Sequence, residues 1–343
     1  MSTVGVIVNP LAGKDIRRLV ANASPVSDAA KIGSVRRAVS GAIDAGATRL
    51  LIAGDHHHLG RRAVEDLERA GCTVEIVDDH VRGGRDDTVA VAGRFAKQDV
   101  GAVVVFGGDG THRDVASGWP AAPMVAVSTG TNNVFPVFWD ATSAGAAAAF
   151  VAAQAVDFDH AARTAKLVSV RIIGAERVVD DVALVDVALV SGSFIGSRAV
   201  WDPTSIISVV AAIASPASTG LASIAGRAHP VGRWEPHGAV VSLGPGGRRL
   251  RIPLAPGSFV TVEVAASRTL PFDETVVFDG PGVITLDGER SHVLARGERA
   301  EVRLGPHGPS FIDVDSTLSL AAAAGCFDVA PTSRTDQENT DVD

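Results

Sequence analysis

The chain of 343 residues contains no tyrosine, only two cysteines and no block rich in lysine and arginine. Without such a block, and with a formal net charge of -8, it lacks the electrostatic footprint of a nucleic-acid-binding protein. Cys72 and Cys326 lie far apart in a chain too long to depend on disulfides. We therefore expect packed thiols in a reducing, cytoplasmic compartment, and no nucleic-acid partner.

Features of membrane proteins are also missing. The Ala-rich stretch 144–156 is too short to span a bilayer and carries Gln154. The N-terminus enters a strand-like run at once, without the basic leader and cleavage pattern of a signal peptide. We expect no stable insertion into a membrane.

Apolar material for packed cores is ample, at 46% hydrophobic and 20% charged residues, and the length favours two domains. Apolar runs alternate with amphipathic segments up to about residue 138, which predicts a doubly wound parallel α/β domain. Later runs are β-branched and separated by Gly and Pro, which predicts a β-rich sandwich. We assign residues 1–145 to the α/β domain, 146–308 to the β-rich domain, 309–330 to a segment returning to the first domain, and 331–343 to a flexible tail.

The most informative segment is Gly107-Gly108-Asp109-Gly110-Thr111, directly after the fully apolar run 102–106. Glycines let backbone N–H groups approach polyphosphate oxygens closely. An aspartate among them suits a base for a hydroxyl, or a ligand of the Mg²⁺ that accompanies ATP. The alternative is a tight turn whose Asp109 caps the following helix.

Two further polar, Gly-containing loops follow predicted strands, at residues 9–13 and 128–133. Ligands of parallel sheets bind at the carboxyl ends of strands. The three loops therefore predict one shared site for a phosphorylated ligand.

In this order, the three loops resemble the motifs of NAD kinases and of diacylglycerol and sphingosine kinases. Residues 215–226 are similar to a Thr/Ser/Gly-rich loop of NAD kinases, and residues 130–133 are closer to the lipid-kinase form. With the segment 194–202, this mixture resembles the acetoin catabolism protein X-like branch of ATP-NAD kinases. The chain is identified as a member of the NAD kinase-like superfamily, which implies the same two-domain fold.

The resemblance implies an ATP-dependent kinase that phosphorylates a hydroxyl of NAD or a related nucleotide, with Mg²⁺ delivered by ATP. Asp109 would activate the ribose 2′-hydroxyl. Phosphate contacts would come from Asn9, Gly107, Gly108, Gly110, Thr111, Gly130 and Thr131. The acceptor nucleotide would be contacted by Asn132, Asn133, Asp186, Thr219, Gly220, Ser223 and Asp287. A homodimer or homotetramer is expected on the same ground.

The chain departs from NAD kinases at two points. It has Val185-Asp186 or Asp180-Asp181 where they carry an Asn-Glu pair, and it has no tyrosine to stack on a base. A lipid or small diol acceptor and a catalytically silent nucleotide sensor therefore stay open, as does polyphosphate as donor. Asp287-Gly288 is also the strongest short signal for a simple hairpin turn.

Other polar clusters point to no second chemistry. Consecutive imidazoles at His56, His57 and His58 cannot all face one ion, so a solvated loop is expected rather than a metal site. His112, Arg113 and Arg198 could face phosphate or occupy ordinary positions. Lys14 lacks the Walker spacing, and no serine-hydrolase elbow occurs. Gly83–Asp87 is expected to form a turn that caps a helix, and the resemblance to related kinases makes it a secondary candidate for a loop that approaches the acceptor.

Overall fold

The computed structural model describes residues 2–12, 26–67, 71–77, 81–130, 132–192, 200 and 202–329. The predicted tail 331–343 lies outside these ranges. The helices are α1 Asp28–Asp44, α2 Leu59–Val64, α3 Arg85–Ala96, α4 Asp109–Gly118, α5 Ala141–Ala152, α6 Phe158–Ala161, α7 Ala222–Ala228 and α8 Val314–Ala323. The strands are β1 Thr3–Val8, β2 Arg49–Ala53, β3 Thr73–Val77, β4 Ala102–Gly107, β5 Pro123–Ser128, β6 Ala162–Thr164, β7 Leu167–Ile173, β8 Val178–Ala183, β9 Asp186–Val190, β10 Ile206–Ala211, β11 His237–Ala255, β12 Ser258–Pro271, β13 Thr275–Asp279, β14 Gly282–Leu286, β15 Glu289–Leu294, β16 Arg299–Gly305 and β17 Ser310–Ile312.

The first domain is built on a seven-stranded sheet with the order β3-β2-β1-β4-β5-β17-β6. Within this sheet, β3, β2, β1, β4, β5 and β17 run parallel to one another, and β6 is antiparallel to its neighbour β17. The predicted doubly wound α/β domain is confirmed. The strand order reverses between β1 and β4, so the loops after these two strands flank the crevice where such sheets bind ligands.

Helices cover both faces of this sheet because its central strands are apolar on both sides. Strands β1 and β4 are buried along their whole length. Helices α1, α2 and α5 pack on one face, and α3 and α4 pack on the other. No helix within the described ranges is long and apolar enough to cross a membrane.

The second domain pairs a six-stranded sheet, β12-β11-β10-β9-β14-β15, with a four-stranded sheet, β13-β16-β7-β8. Neighbouring strands in both sheets are antiparallel. Apolar side chains of β7 and β16 pack with those of β9, β10 and β14 in one core, which continues beneath α3 and α4 of the first domain. The predicted β-rich sandwich is confirmed.

The structure corrects the predicted domain boundary at residue 145, which falls inside α5. Helix α5 packs against α1 on the first sheet, and β6 pairs with β17 in that same sheet. The change of domain therefore lies near Lys166, at the start of β7. The boundary shifts because the Ala-rich helix covers a face of the parallel sheet, a contact that composition does not reveal.

Candidate functional site

Asp109 is the first residue of α4 and stands directly after β4 and Gly108. Its carboxylate accepts hydrogen bonds from the backbone N–H groups of Val134, at 3.0 Å, and Phe135, at 2.8 Å. The positive end of the helix dipole favours its ionised form. The loop after β5 thus fixes the orientation of a carboxylate on the loop after β4.

The loop after β1 is tied to the same helix. The Asn9 side chain donates from Nδ2 to the Thr111 hydroxyl at 2.8 Å, and its Oδ1 accepts from the backbone N–H of Leu11 at 2.8 Å. A Cβ on Gly107 would stand only 2.4 Å from the Cβ of Thr111, so a larger residue would displace Thr111. Asn9 and Thr111 therefore join two of the three predicted loops.

Asn133 belongs to the third loop and fills the space left by two glycines. It donates from Nδ2 to the Ser128 hydroxyl at 2.9 Å. A Cβ on Gly108 or Gly130 would approach its carboxamide to 3.0 Å or 2.8 Å. Thr131, predicted to contact phosphate, lies outside the described residues, as does Arg198.

The second domain closes the site with the loop before α7. Gly220 adopts a positive φ of 78°, donates to the Pro253 carbonyl at 2.9 Å, and faces the carboxamide of Asn132. Ser223 is fully buried, and its hydroxyl donates to the Gly220 carbonyl at 2.6 Å. Thr219 and Gly220 line the cleft, whereas Ser223 supports the loop from behind.

Asp287 occupies the β14–β15 turn, where φ is 49° at Asp287 and 77° at Gly288. This is the left-handed backbone of a tight hairpin, but the carboxylate also has structural partners. It accepts from the backbone N–H groups of Leu184, at 3.0 Å, and Val185, at 2.8 Å, and so holds the start of β9 beside Asp186. Burial raises the pKa of Asp287 well above its usual value, and Arg113 opposes that effect.

Arg113, predicted either to face phosphate or to occupy an ordinary position, is a buried link between the domains. Its Nη1 donates to the Leu286 carbonyl at 3.0 Å, and its Nη2 lies 3.3 Å from Asp114 and 4.0 Å from Glu289. Burial raises the pKa of Asp114 to about 6, although the guanidinium groups of Arg113 and Arg85 oppose the rise. Asp114 was not predicted as a site residue.

Arg85 makes a second link that sequence reasoning missed. Its Nη1 donates to Asp181 of β8 at 2.8 Å, and His292 of β15 approaches the same carboxylate at 2.8 Å. Burial alone would raise the pKa of Asp181, but the hydrogen bonds from Arg85 and His292 outweigh it and lower that pKa. Arg85 belongs to the Gly-rich segment that is predicted to form a turn or to approach the acceptor, and no local pattern pairs it with Asp181.

These loops enclose one cleft of about 680 Å³ between the two domains. Its walls include most of the predicted phosphate and acceptor residues together with the two arginines. Of the predicted residues, those lining the cleft are Asn9, Gly108, Asp109, Gly110, Thr111, Gly130, Asn132, Asn133, Asp186, Thr219, Gly220 and Asp287. Gly107 and Ser223 stand behind its walls.

The His56–His58 run borders one end of the cleft. His57 pairs with Asp28 at 2.9 Å, and His56 packs beside Gly83. Within the described ranges, no group of three or more His, Cys, Asp or Glu residues could hold a metal ion. The Asp109 carboxylate lines the cleft, where it could complete the shell of an ion carried by the phosphates of a nucleotide.

Mild acid is expected to destabilise the fold through His112, which is fully buried in α4. Its Nδ1 lies 2.8 Å from the Gly108 carbonyl and must carry the proton, since a carbonyl only accepts. Burial lowers the pKa of His112 from 6.5 to about 4, so the unfolded chain binds the proton first. The contribution of neutral His112 to the free energy of unfolding is complete above pH 6.5. It falls by about 3 kcal/mol as the pH decreases to 4.

Urea unfolding at pH 7 and pH 4 measures this loss. The His112→Asn variant keeps a donor for Gly108 but cannot be protonated. Its free energy of unfolding should therefore decrease by about 3 kcal/mol less than that of the unchanged chain over the same interval. Equal decreases in both proteins would contradict a titrating His112.

Comparison with known proteins gives two family-model matches. Residues 4–156 match the model described as the ATP-NAD kinase N-terminal domain. Residues 166–307 match the model described as the acetoin catabolism protein X C-terminal domain. The second match begins at Lys166, where the chain passes from the first domain to the second.

Two individual proteins are also similar to this chain. The acetoin catabolism protein X of Cupriavidus necator is 35% identical over 333 residues, which cover 93% of this chain and 92% of that protein. The crystal structure of yeast NADH kinase complexed with NADH has a TM-score of 0.53 at 12% identity, covering 96% of this chain and 89% of that one. The first likeness concerns sequence along nearly the whole chain, and the second concerns the fold.

Proposed function

The chain belongs to the acetoin catabolism protein X family of the NAD kinase-like superfamily, and from this premise we propose that it is a kinase that transfers the γ-phosphoryl group of Mg-ATP to NAD or a related nucleotide. The acceptor atom is the 2′-hydroxyl of the adenosine ribose. One observation carries the proposal: Asp109, oriented by two backbone N–H groups, faces a cleft in which three strand-end loops of the first domain meet the second domain.

Asp109 acts as the general base in this proposal. It takes the proton of the acceptor hydroxyl as the hydroxyl oxygen forms a bond to the γ-phosphorus. The bond from that phosphorus to the oxygen bridging to the β-phosphate breaks, and ADP leaves with the electron pair. Positioning and charge neutralisation supply most of the acceleration, so the carboxylate needs a fixed direction more than an unusual pKa.

Mg²⁺ neutralises the phosphate charge when ATP is bound. Asp109 is the carboxylate nearest the predicted phosphate loops and would reach the ion together with phosphate oxygens. Gly108, Gly110 and Gly130 line the cleft. These loops would bind the triphosphate, as glycine-rich loops do in other nucleotide-binding proteins.

The second domain would bind the acceptor. Asn132 presents a buried Oδ1 that has no hydrogen-bond partner in the described part of the chain, next to Gly220. Asp186 and Thr219 complete this wall of the cleft. An adenosine ribose presents two hydroxyls that could donate to such oxygens.

The test is a panel of acceptors. The pure protein is incubated with Mg-ATP, or with Mg-polyphosphate, and with NAD, NADH, diacylglycerol or small diols, and products are identified by mass spectrometry. We expect NADP or another phosphorylated nucleotide. A phosphorylated lipid or diol alone would move the acceptor to another class. Tight ATP binding without any product would indicate a nucleotide sensor and contradict the kinase proposal.

We also propose a cytoplasmic homodimer or homotetramer that assembles through the second domain. We propose this assembly by resemblance to NAD kinases, whose N-terminal domain model matches residues 4–156 of this chain. Light scattering of the purified protein measures the mass directly. A monomer at micromolar concentration would contradict it.

A further inference from the structure

The loop after β2 brings a single aromatic ring to the cleft. Among the described residues that line the cleft, His56 carries the only aromatic side chain. In the sheet, β2 and β5 lie on opposite sides of the β1–β4 pair. His56 therefore lies on the β2 side of the loops proposed to bind the triphosphate, whereas the acceptor wall at Asn132 and Gly220 lies on the β5 side.

The ring of His56 is packed but accessible. It meets the ring of His57 edge-on, with 4.4 Å between the ring centres and an angle of 78° between the ring planes. His57 is in turn paired with Asp28 through Nδ1 at 2.9 Å. A Cβ added to Gly83 would lie 2.9 Å from Nδ1 of His56, so the ring also packs on this glycine. His56 nevertheless stays exposed, and part of its surface is available to a ligand in the cleft.

The buried carboxylate of Asp55 fixes the backbone of this loop. Its Oδ1 accepts from the N–H groups of His57 and Leu59, each at 3.0 Å, and its Oδ2 accepts from that of Gly60 at 3.0 Å. These bonds hold the loop without the side chain of His56, whose ring makes no hydrogen bond within the described ranges. The loop therefore presents to the cleft a ring that its own hydrogen bonds do not use.

A flat ring at this position suits the base of a nucleotide. Aromatic side chains stack on any base, because every base has a π-face. The apolar side chains of Leu11, Val81 and Val91 line the same cleft and add surface that a base can cover. Inorganic polyphosphate has neither a ring nor apolar surface, so it would leave the ring of His56 without a partner.

We propose that His56 stacks on the base of the phosphoryl donor, which makes the donor a nucleoside triphosphate and not inorganic polyphosphate. This inference rests on the proposed kinase function and specifies its donor. The base lies at His56, the triphosphate lies along the loops after β1 and β4, and the γ-phosphate points toward Asp109. The acceptor then approaches from the second domain, so that donor and acceptor occupy opposite ends of one cleft.

Three variants isolate the contribution of the ring. His56→Ala removes it, and His56→Phe replaces it by another ring that can stack on a base. His160→Ala removes an exposed histidine of α6, outside the cleft, and is the matched control. Because His56 and His160 are both exposed, we expect all three variants to fold, and their thermal midpoints check this.

Calorimetry with Mg-ATP and with Mg-tripolyphosphate separates the base from the phosphates. We expect His56→Ala to bind Mg-ATP about tenfold more weakly, because one stacking contact is lost, and to bind Mg-tripolyphosphate as the unchanged protein does. His56→Phe should restore the affinity for Mg-ATP, and His160→Ala should change neither. An unchanged affinity for Mg-ATP in His56→Ala, or an equal loss for both ligands, would overturn the proposal. So would an unchanged protein that binds Mg-tripolyphosphate as tightly as Mg-ATP.

Turnover gives a second readout. In His56→Ala the KM for ATP should rise about tenfold while kcat is unchanged, because a contact with the base is made equally before and during phosphoryl transfer. A lower kcat with an unchanged KM would contradict a role in binding the donor. If the unchanged protein phosphorylates no acceptor, the proposed function fails. The calorimetric comparison then still decides whether His56 binds the base of a nucleotide.

Discussion

Replacing Asp109 by asparagine is expected to lower kcat about 10³-fold while the fold and ATP binding are retained. The introduced carboxamide would keep an Oδ1 acceptor for the N–H groups of Val134 and Phe135, which donate to Asp109 at 3.0 Å and 2.8 Å. The loop therefore keeps its partners. A carboxamide cannot accept the proton of a hydroxyl, so the loss concerns the chemical step.

Three measurements on this variant separate chemistry from structure: the rate of phosphorylated product, the affinity for ATP by calorimetry, and the thermal midpoint. Asp66→Asn, at an exposed turn outside the cleft, is the control and should behave as the unchanged protein. Full activity in Asp109→Asn would exclude Asp109 as the base. A large drop in the thermal midpoint would instead mean that Asp109 mainly holds the loop.

The largest effect on stability is expected from Gly145→Ala in α5. A Cβ at this position would lie 1.8 Å from the carbonyl oxygen of Ala38 in α1 and 2.6 Å from its carbonyl carbon. Both atoms belong to a helix backbone, so no side chain can turn aside. The two helices would have to separate, and we expect a loss of about 3 kcal/mol in the free energy of unfolding.

Gly33→Ala is the matched control for this change, because Gly33 lies in α1 and its added Cβ would meet only the flexible end of Arg37, at 3.6 Å. There alanine should stabilise the chain by about 0.5–1 kcal/mol through its higher helix propensity. Urea unfolding followed by circular dichroism measures both variants. If Gly145→Ala unfolds at the same urea concentration as the unchanged protein, α1 and α5 do not pack as closely as described.

Local sequence patterns predicted much of the fold and part of the site. The apolar run of β4 and the glycines after it were recognisable because strand and loop are neighbours in sequence. General rules for parallel sheets then bring the loops after β1, β4 and β5 to one edge, whereas the strand order itself is known only from the structure. The alternative role of Asp109 as a helix cap differs from the structure, because Gly108 is the N-cap residue of α4 and the Asp109 carboxylate accepts from Val134 and Phe135 instead.

Long-range pairings could not be predicted in the same way. Arg85 and Asp181 are 96 positions apart, and Arg113 and Leu286 are 173 apart, so no spacing signals their contact. Ser223 shows a different difficulty. Its small polar side chain in a Gly-rich segment suggested ligand contact, but the orientation of α7 turns its hydroxyl toward Gly220 and buries it.

Transfer of radiolabel from [γ-³²P]ATP to NAD in a single turnover, with the unchanged protein and Asp109→Asn side by side, tests the kinase proposal most directly. From the unchanged protein we expect NADP that carries the labelled phosphoryl group on the ribose 2′-oxygen. From the variant we expect about 10³-fold slower labelling despite bound ATP. Bound ATP with no labelled nucleotide from the unchanged protein, or equal labelling by both proteins, would contradict it.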